Sequence, residues 1–103
     1  MAGPENINLA ILGAGRIGRV HARAISSNDR AVLAAVSDPI QAAADDVALH
    51  FGATARTVDD IIADPAIDAV VICTPTDLHA DQIEHCARAG RATFCERRLA
   101  LAA

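Results

Sequence analysis

The alternation of apolar and helical segments predicts an α/β fold built on a doubly wound parallel sheet. Short apolar runs alternate with segments of helical periodicity along the 103 residues, an order that gives parallel strands joined by right-handed crossovers. A G-x-G-x-x-G string at residues 13–18 stands between the first apolar run and the first helical segment. An acidic residue, Asp38, ends the second apolar run about 20 residues further on. Together these features predict the Rossmann topology, with the strand order 3-2-1-4-5.

The first two predicted strands are the apolar runs Ile7–Leu12 and Ala31–Ser37. The helix between them should cover residues 16–28, because its apolar positions recur at helical spacing. The positions expected on its buried face are Ile17, Val20, His21 and Ala24.

A second helix is expected directly after the second strand. It should begin at Asp38 and Pro39, because proline suits the first helical position, and it should run to Phe51. Gly52 is a natural helix stop. A short strand is expected near residues 53–56.

The second half of the chain supplies the remaining elements. Thr57 has the character of a helix cap, and the short helix that it opens should end before Asp64, which precedes a proline. Residues 67–73 form the most uniformly apolar segment of the chain and predict a central strand that is buried on both faces. After a proline turn, a helix over residues 78–89 should end at a glycine, and residues 91–96 should form the fifth strand.

Composition and charge restrict the classes of function. Hydrophobic residues make up 52% and charged residues 21% of the sequence, typical of one globular domain, expected to span residues 1–103. No apolar run approaches the roughly 20 residues of a membrane span. The N-terminus lacks the basic and apolar regions of a signal peptide. We therefore expect a cytoplasmic protein without a membrane partner. A net charge of −4 and only two aromatic residues argue against a nucleic-acid partner.

The three cysteines have no C-x-x-C spacing, which favours reduced thiols. Cys73 and Cys95 end apolar runs and are expected to be buried, and no metal site is predicted. All nine basic residues are arginine, so lysine chemistry is not available to this chain.

The glycine string predicts a dinucleotide site for mechanical reasons. Gly13 permits a tight turn out of the strand, and Gly18 lets the helix pack closely on that strand. Gly15 has no side chain, so a pyrophosphate can approach the backbone. The first helical residues, Arg16 and Ile17, then present free N–H groups and the positive end of the helix dipole to the phosphates. A merely tight strand–helix turn is the alternative.

Asp38 is predicted to accept hydrogen bonds from the hydroxyls of the adenosine ribose, or else only to cap the second helix. In the first role its carboxylate would repel a 2′-phosphate, so NAD is the expected cofactor rather than NADP. No arginine closely follows Asp38 to bind such a phosphate, which favours the same choice.

A turn at the end of the fourth strand should reach the same crevice. Thr74, Pro75 and Thr76 lie there, and the hydroxyls could bind a ribose or pyrophosphate, or one could only cap the next helix. His79 is a further candidate cofactor contact, or an ordinary residue at a helix start. Glu96, at the end of the fifth strand, belongs either to the cofactor mouth or to a solvated charged turn.

These residues together resemble the glucose–fructose oxidoreductase and inositol dehydrogenase family, Gfo/Idh/MocA. The matching segments span almost the whole chain: residues 12–21, 37–39 and 70–76, His79, and residues 94–96. The resemblance implies an NAD(P)-dependent dehydrogenase that acts on a ring hydroxyl of a sugar or polyol such as myo-inositol. It also implies a second, C-terminal α/β domain with most of the substrate site, which the 103 residues do not contain.

One departure from the family pattern concerns catalysis. The family carries Glu-Lys-Pro after the fifth strand, where this chain has Glu96, Arg97 and Arg98. The resemblance assigns substrate contact and assistance in proton transfer to that lysine. Arg97 could bind a hydroxyl but stays protonated, which makes it a poor proton carrier. We therefore expect the chain alone to bind NAD(H) without turnover.

The sequence is also compatible with two other functions. The chain could be a non-catalytic NAD-sensing or interaction module, which Arg97 and Arg98 would suit. It could also act structurally as a homo-oligomer in which the fifth strand pairs with another copy.

Overall fold

The computed structural model of the chain describes residues 6–95, except for the side chain of Thr76. Its five-stranded sheet has the order β3-β2-β1-β4-β5, and every neighbouring pair is parallel, so the predicted topology is confirmed. The strands are β1 (Ile7–Leu12), β2 (Ala31–Ser37), β3 (Thr54–Ala55), β4 (Ala69–Ile72) and β5 (Ala92–Cys95). The helices are α1 (Arg16–Ser26), α2 (Gln41–Phe51), α3 (Val58–Ala63) and α4 (Thr76–Arg88).

Strands β1, β2 and β4 end at the same level of the sheet. Leu12, the last residue of β1, is in register with Ser37 of β2 and with Ile72 of β4. The residues that follow these three strands therefore meet at one edge. Because the strand order reverses between β1 and β4, this edge is where ligands bind in doubly wound sheets.

The sheet separates two apolar layers. Helices α1 and α2 cover one face, where Ile25 and Val47 pack with Ile11 and Val71 of the sheet. Helices α3 and α4 cover the other face, where their buried residues Ile61, Ile62 and Cys86 pack with Leu12, Val70 and Ile72. All four residues of β4 are buried, which confirms the strand predicted to be covered on both faces. Within residues 6–95, no helix is both long and apolar enough to cross a membrane.

Helix α1 buries a different face from the one that the sequence predicts. Its buried residues are Gly18, Ala22 and Ile25, whereas Val20 is 60% exposed. The predicted core positions Ile17 and His21 are only half-buried, and Ala24 is exposed. Gly18 determines which face of α1 is buried, because the helix approaches the turn after β1 most closely at this residue, which has no side chain.

Two predicted helix starts are also wrong. Helix α2 begins at Gln41 rather than at Pro39, because the Asp38 Oδ1 atom accepts a hydrogen bond from the Ile40 N–H at 2.8 Å and holds a bend there. Helix α4 begins at Thr76, two residues before the expected start, and Pro75, with φ of −54° and ψ of 148°, is its N-cap residue. The predicted Gly52 stop of α2 and the Thr57 cap of α3 are confirmed.

The cysteines differ from expectation in their burial. Cys73 and Cys95, predicted to be buried, are both half-buried, whereas Cys86 on α4 is fully buried. Cys73 and Cys95 follow or end strands at the sheet edge, where helices no longer cover them completely. Burial raises the pKa of the Cys86 thiol, so this group is held as a neutral side chain of the core.

Candidate functional site

The turn after β1 is hydrogen-bonded to both neighbouring strands. The Gly13 N–H donates to the Ser37 carbonyl at 2.7 Å, and the Cys73 N–H donates to the Leu12 carbonyl at 2.7 Å. The turn thus lies between the ends of β2 and β4. This position brings the glycine string, Asp38 and the turn after β4 together, as the sequence predicts.

Gly13 occupies a position that no other residue fits. Its φ of +106° is one that L side chains rarely adopt. A Cβ atom there would lie 2.8 Å from the carbonyl carbon and oxygen of Cys73 and 2.9 Å from the Thr74 nitrogen. All three are backbone atoms, which cannot move aside as a flexible side chain would.

Gly18 and Gly15 have opposite surroundings, although both belong to the same string. A Cβ on Gly18 would lie 1.9 Å from the Gly13 carbonyl oxygen, so the helix cannot approach the turn unless this residue is glycine. A Cβ on Gly15 would meet no atom within 4 Å. The protein itself therefore does not require glycine at position 15, and the open space beside it can admit a ligand to the backbone.

The N-terminus of α1 has no cap from its own residues. Gly15 is the N-cap residue, no side chain caps the helix, and its first turn has no acidic residue. The N–H groups of Arg16 and Ile17 point out of the first turn, where α-helices have no internal acceptor. Helix α3, in contrast, is capped by the Thr57 hydroxyl, which accepts the Asp60 N–H at 3.1 Å. The α1 terminus is therefore available to an anionic group.

Asp38 ties the glycine turn to the start of α2. Its Oδ2 atom accepts the Ala14 N–H at 2.7 Å, and its Oδ1 atom accepts the Ile40 N–H at 2.8 Å. Each carboxylate oxygen has a second lone pair, so these bonds leave acceptor capacity for a ribose hydroxyl. Helix α2 itself has no side-chain cap, so the capping alternative is wrong, and the ribose contact stays a prediction.

The turn after β4 is held by hydrogen bonds between Thr74 and side chains of α4. The Thr74 hydroxyl donates to Gln82 Oε1 at 2.5 Å, and His79 Nε2 lies 2.6 Å from the Thr74 carbonyl oxygen. A carbonyl only accepts, so Nε2 carries the proton in this contact. Thr74 is buried and His79 is half-buried. Both predicted cofactor residues thus stabilise the turn, and Pro75 lies exposed on it.

A groove of about 240 Å³ runs along the sheet edge beside Asp38. Its lining includes Leu12, Ser37, Pro39, Val58, Thr74 and Leu78. Pockets for whole ligands of drug size usually exceed about 300 Å³, so the groove has room for one part of a dinucleotide. Apolar side chains such as Leu12, Val58 and Leu78 line the groove together with the carboxylate of Asp38, a mixture that fits a nucleoside.

Sequence reasoning missed Arg56, which lines the same groove. The Arg56 N–H donates to the Val36 carbonyl at 2.9 Å, so this residue continues the β2–β3 pairing to the level of Ser37. The predicted strand order contained the signal, because it places the residue after β3 beside the end of β2. A search limited to residues that closely follow Asp38 could not find it.

The remaining predicted site residues lie outside the groove or outside the described residues. Arg16 is exposed at the start of α1, and Thr76 begins α4. Glu96 and Arg97 lie outside the described residues. Within residues 6–95, no group of three or more His, Cys, Asp or Glu residues could hold a metal ion.

Comparison with known proteins identifies the family. A family model described as an oxidoreductase family with an NAD-binding Rossmann fold, Gfo/Idh/MocA, matches residues 7–102. The chain belongs to this family. It contains the family's NAD-binding Rossmann fold, with NAD as the cofactor, and the resemblance inferred from the sequence is confirmed.

Individual relatives agree with this assignment. Inositol 2-dehydrogenase of Rhizobium meliloti (strain 1021) is 57% identical over 91 residues, which are 88% of this chain and 28% of that protein. Scyllo-inositol dehydrogenase from Lactobacillus casei, solved with NAD(H) and scyllo-inositol, is 33% identical with a TM-score of 0.81; the match covers 89% of this chain and 28% of that one. GenD2 from gentamicin A biosynthesis, in complex with NAD, is 32% identical with a TM-score of 0.86, over 88% and 26% of the two chains. The chain thus spans about 28% of the length of the curated relative.

The two glycines predict opposite effects of the same substitution. We expect Gly18→Ala to lower the free energy of unfolding by about 3 kcal/mol, because its Cβ would overlap the Gly13 carbonyl oxygen. Gly15→Ala should change it by less than about 1 kcal/mol, because its Cβ meets open space. Urea denaturation followed by circular dichroism measures both. Equal losses in the two variants would contradict the described packing.

The ion pair beside the groove predicts a change in acid stability. Hydrogen bonds from the Arg56 guanidinium and then the Ala66 N–H lower the pKa of Asp64 below its usual 3.8. The stabilisation from this pair is therefore present above the unfolded-state pKa and is lost as the pH falls through the lower folded-state value. Thermal melts between pH 7 and pH 2 should show a shallower acid-induced decline for Asp64→Asn than for the wild type. Parallel curves would be inconsistent with this pair.

Proposed function

We propose that this chain, residues 1–103, is a nucleotide-binding domain that binds NAD(H) for an oxidoreductase acting on a ring hydroxyl of a sugar or polyol such as inositol. The observation that carries the proposal is the contrast within the glycine string. Two glycines are required by the fold, and the third, Gly15, faces open space next to a helix terminus without a cap. A diphosphate supplies the negative charge and acceptor atoms that this terminus lacks.

The adenosine half of the cofactor would occupy the groove beside Asp38. The apolar side chains of Val58 and Leu78 offer a surface to the adenine, and the carboxylate of Asp38 keeps acceptor capacity for the ribose hydroxyls. A 2′-phosphate in the same place would meet that carboxylate at close range. Electrostatic repulsion therefore supports a preference for NAD over NADP.

The substrate class rests on the relatives. Inositol 2-dehydrogenase and a scyllo-inositol dehydrogenase with bound NAD(H) and scyllo-inositol are among the proteins that this chain resembles. NAD, when bound, accepts a hydride from the alcohol carbon, while the protein must supply placement and a base for the hydroxyl proton.

From the sequence we identify no evident base for that proton. Arg97 takes the position of the family lysine, and an arginine stays protonated at any working pH. We therefore propose that the chain alone binds NAD(H) without oxidising inositol. The same substitution supports the second candidate function, a non-catalytic NAD-sensing module.

Titration calorimetry tests the binding proposal. NAD⁺ should bind the folded chain with saturation, and Gly15→Val should weaken binding at least tenfold, because the new side chain fills the space needed by the diphosphate. Leu49→Ala, which truncates a side chain that is 86% exposed on α2, is the matched control and should bind as the wild type does. A wild-type chain that shows no saturable binding of NAD⁺ would exclude the proposal.

Asp38→Asn tests the assigned cofactor preference. The amide keeps the shape and one oxygen acceptor but removes the negative charge, so the ratio of NADP⁺ to NAD⁺ dissociation constants should fall about tenfold or more. Competition between the two cofactors for the same chain measures this ratio directly. If the ratio stays unchanged, Asp38 does not face the ribose.

A further inference from the structure

The groove beside Asp38 contains one cation that the binding proposal does not use. Among the described residues that line the groove, only Arg56 is positively charged. NADP differs from NAD by a 2′-phosphate with a charge of about −1.5 to −2. An arginine near the ribose is the residue that accommodates such a phosphate, because its planar guanidinium matches phosphate geometry with two hydrogen bonds.

The Arg56 guanidinium is already engaged. Its Nη1 atom donates to Asp64 Oδ2 at 2.8 Å, and its Nη2 atom donates to the Asp60 carbonyl at 3.1 Å. The side chains of Arg56 and Asp64 are 29% and 25% exposed, so water screens this pair less than an ion pair in open solvent. The guanidinium is thus neutralised by a carboxylate that is not itself among the residues lining the groove.

Asp64 is itself held in place. Its Oδ1 atom accepts the Ala66 N–H at 2.8 Å, in the turn between α3 and β4. The pKa of its carboxyl is lowered, so the group is ionised at neutral pH. Reorienting Arg56 toward a ligand would therefore separate a formed ion pair and leave Asp64 without its counter-charge.

We propose that Asp64 is a specificity-determining residue, which withholds the Arg56 guanidinium from the cofactor groove and so disfavours a 2′-phosphate. This inference rests on the proposed binding of NAD in that groove. Two carboxylates then act together against NADP: Asp38 repels the phosphate, and Asp64 occupies the cation that would otherwise attract it.

A purely structural role of the pair makes a different prediction. If the pair only fastened the end of β3 to the turn before β4, its loss would change stability and weaken both cofactors equally. Under the proposal, its loss changes the ratio of the two affinities. The ratio is therefore the quantity to measure.

Asp64→Asn is the primary test. The amide can still accept the Ala66 N–H but no longer neutralises Arg56. Binding of NAD⁺ and NADP⁺ is measured by calorimetry in the wild-type sequence and in the Asp38→Asn background, where NADP⁺ should bind more tightly. In that background Asp64→Asn should lower the ratio of NADP⁺ to NAD⁺ dissociation constants about tenfold, which corresponds to roughly 1.4 kcal/mol, with NAD⁺ affinity unchanged.

Two controls assign the effect to Arg56. In an Arg56→Gln background, Asp64→Asn should leave the ratio unchanged, because no cation remains to be released. Glu84→Gln removes the carboxylate that lies 3.8 Å from Arg88 on α4, outside the groove, and should also leave the ratio unchanged. It controls for the loss of one negative charge from the chain as a whole.

The outcomes separate this inference from the proposed function. An unchanged ratio in Asp64→Asn, with normal NAD⁺ binding, overturns the inference alone. An equal loss of both affinities assigns the pair a structural role and also overturns it. Absence of NAD⁺ binding by the wild type rejects the proposed function instead. If Asp64→Asn does not fold, Asp64→Ser gives the same reading, because its hydroxyl can accept the Ala66 N–H.

Discussion

The close approach of the turn after β1 to the end of β4 is the constraint on which the rest of the site depends. A Cβ on Gly13 would lie 2.8 Å from the Cys73 backbone after β4, and a Cβ on Gly18 of α1 would lie 1.9 Å from the Gly13 carbonyl oxygen. Because no side chain intervenes, β1 passes directly into α1, and the first turn of the helix lies at the sheet edge. The same contact aligns the turn with the ends of β2 and β4. The exposed backbone at Gly15 is a consequence of this packing.

Carboxylates organise the surface around this turn. Asp38 joins the Ala14 N–H to the Ile40 N–H, so one side chain couples the glycine turn to the start of α2. Under the proposed function, the same residue is also the group that disfavours a 2′-phosphate. Asp64 holds Arg56, a residue that lines the groove, in an ion pair. The cofactor preference of such a groove therefore depends on how its few charges are paired as well as on which residues line it.

The sequence predicts the strands better than the helix boundaries and contacts. The strands β1 and β2 were predicted to the residue, since an apolar run buried by a parallel sheet leaves a clear pattern. The face of α1 could not be predicted from apolar spacing, because the closest contact of that helix is made by Gly18, which has no apolar side chain to mark it. The start of α2 depends on a hydrogen bond that the Ile40 N–H donates to Asp38, and the spacing of apolar residues does not reveal such a bond. The groups that line the groove come from four segments, so Arg56 becomes visible only when β3 is placed beside β2.

The central claim is that the uncapped terminus of α1 receives the diphosphate of NAD. The most direct test is a ¹⁵N–¹H NMR titration of the folded chain with NAD⁺, which observes those backbone N–H groups individually. The account predicts saturable shifts that are largest for the amides of Gly15, Arg16 and Ile17, with smaller shifts along the groove beside Asp38. Saturable shifts that leave these three amides unchanged, or no shifts at all, would contradict it.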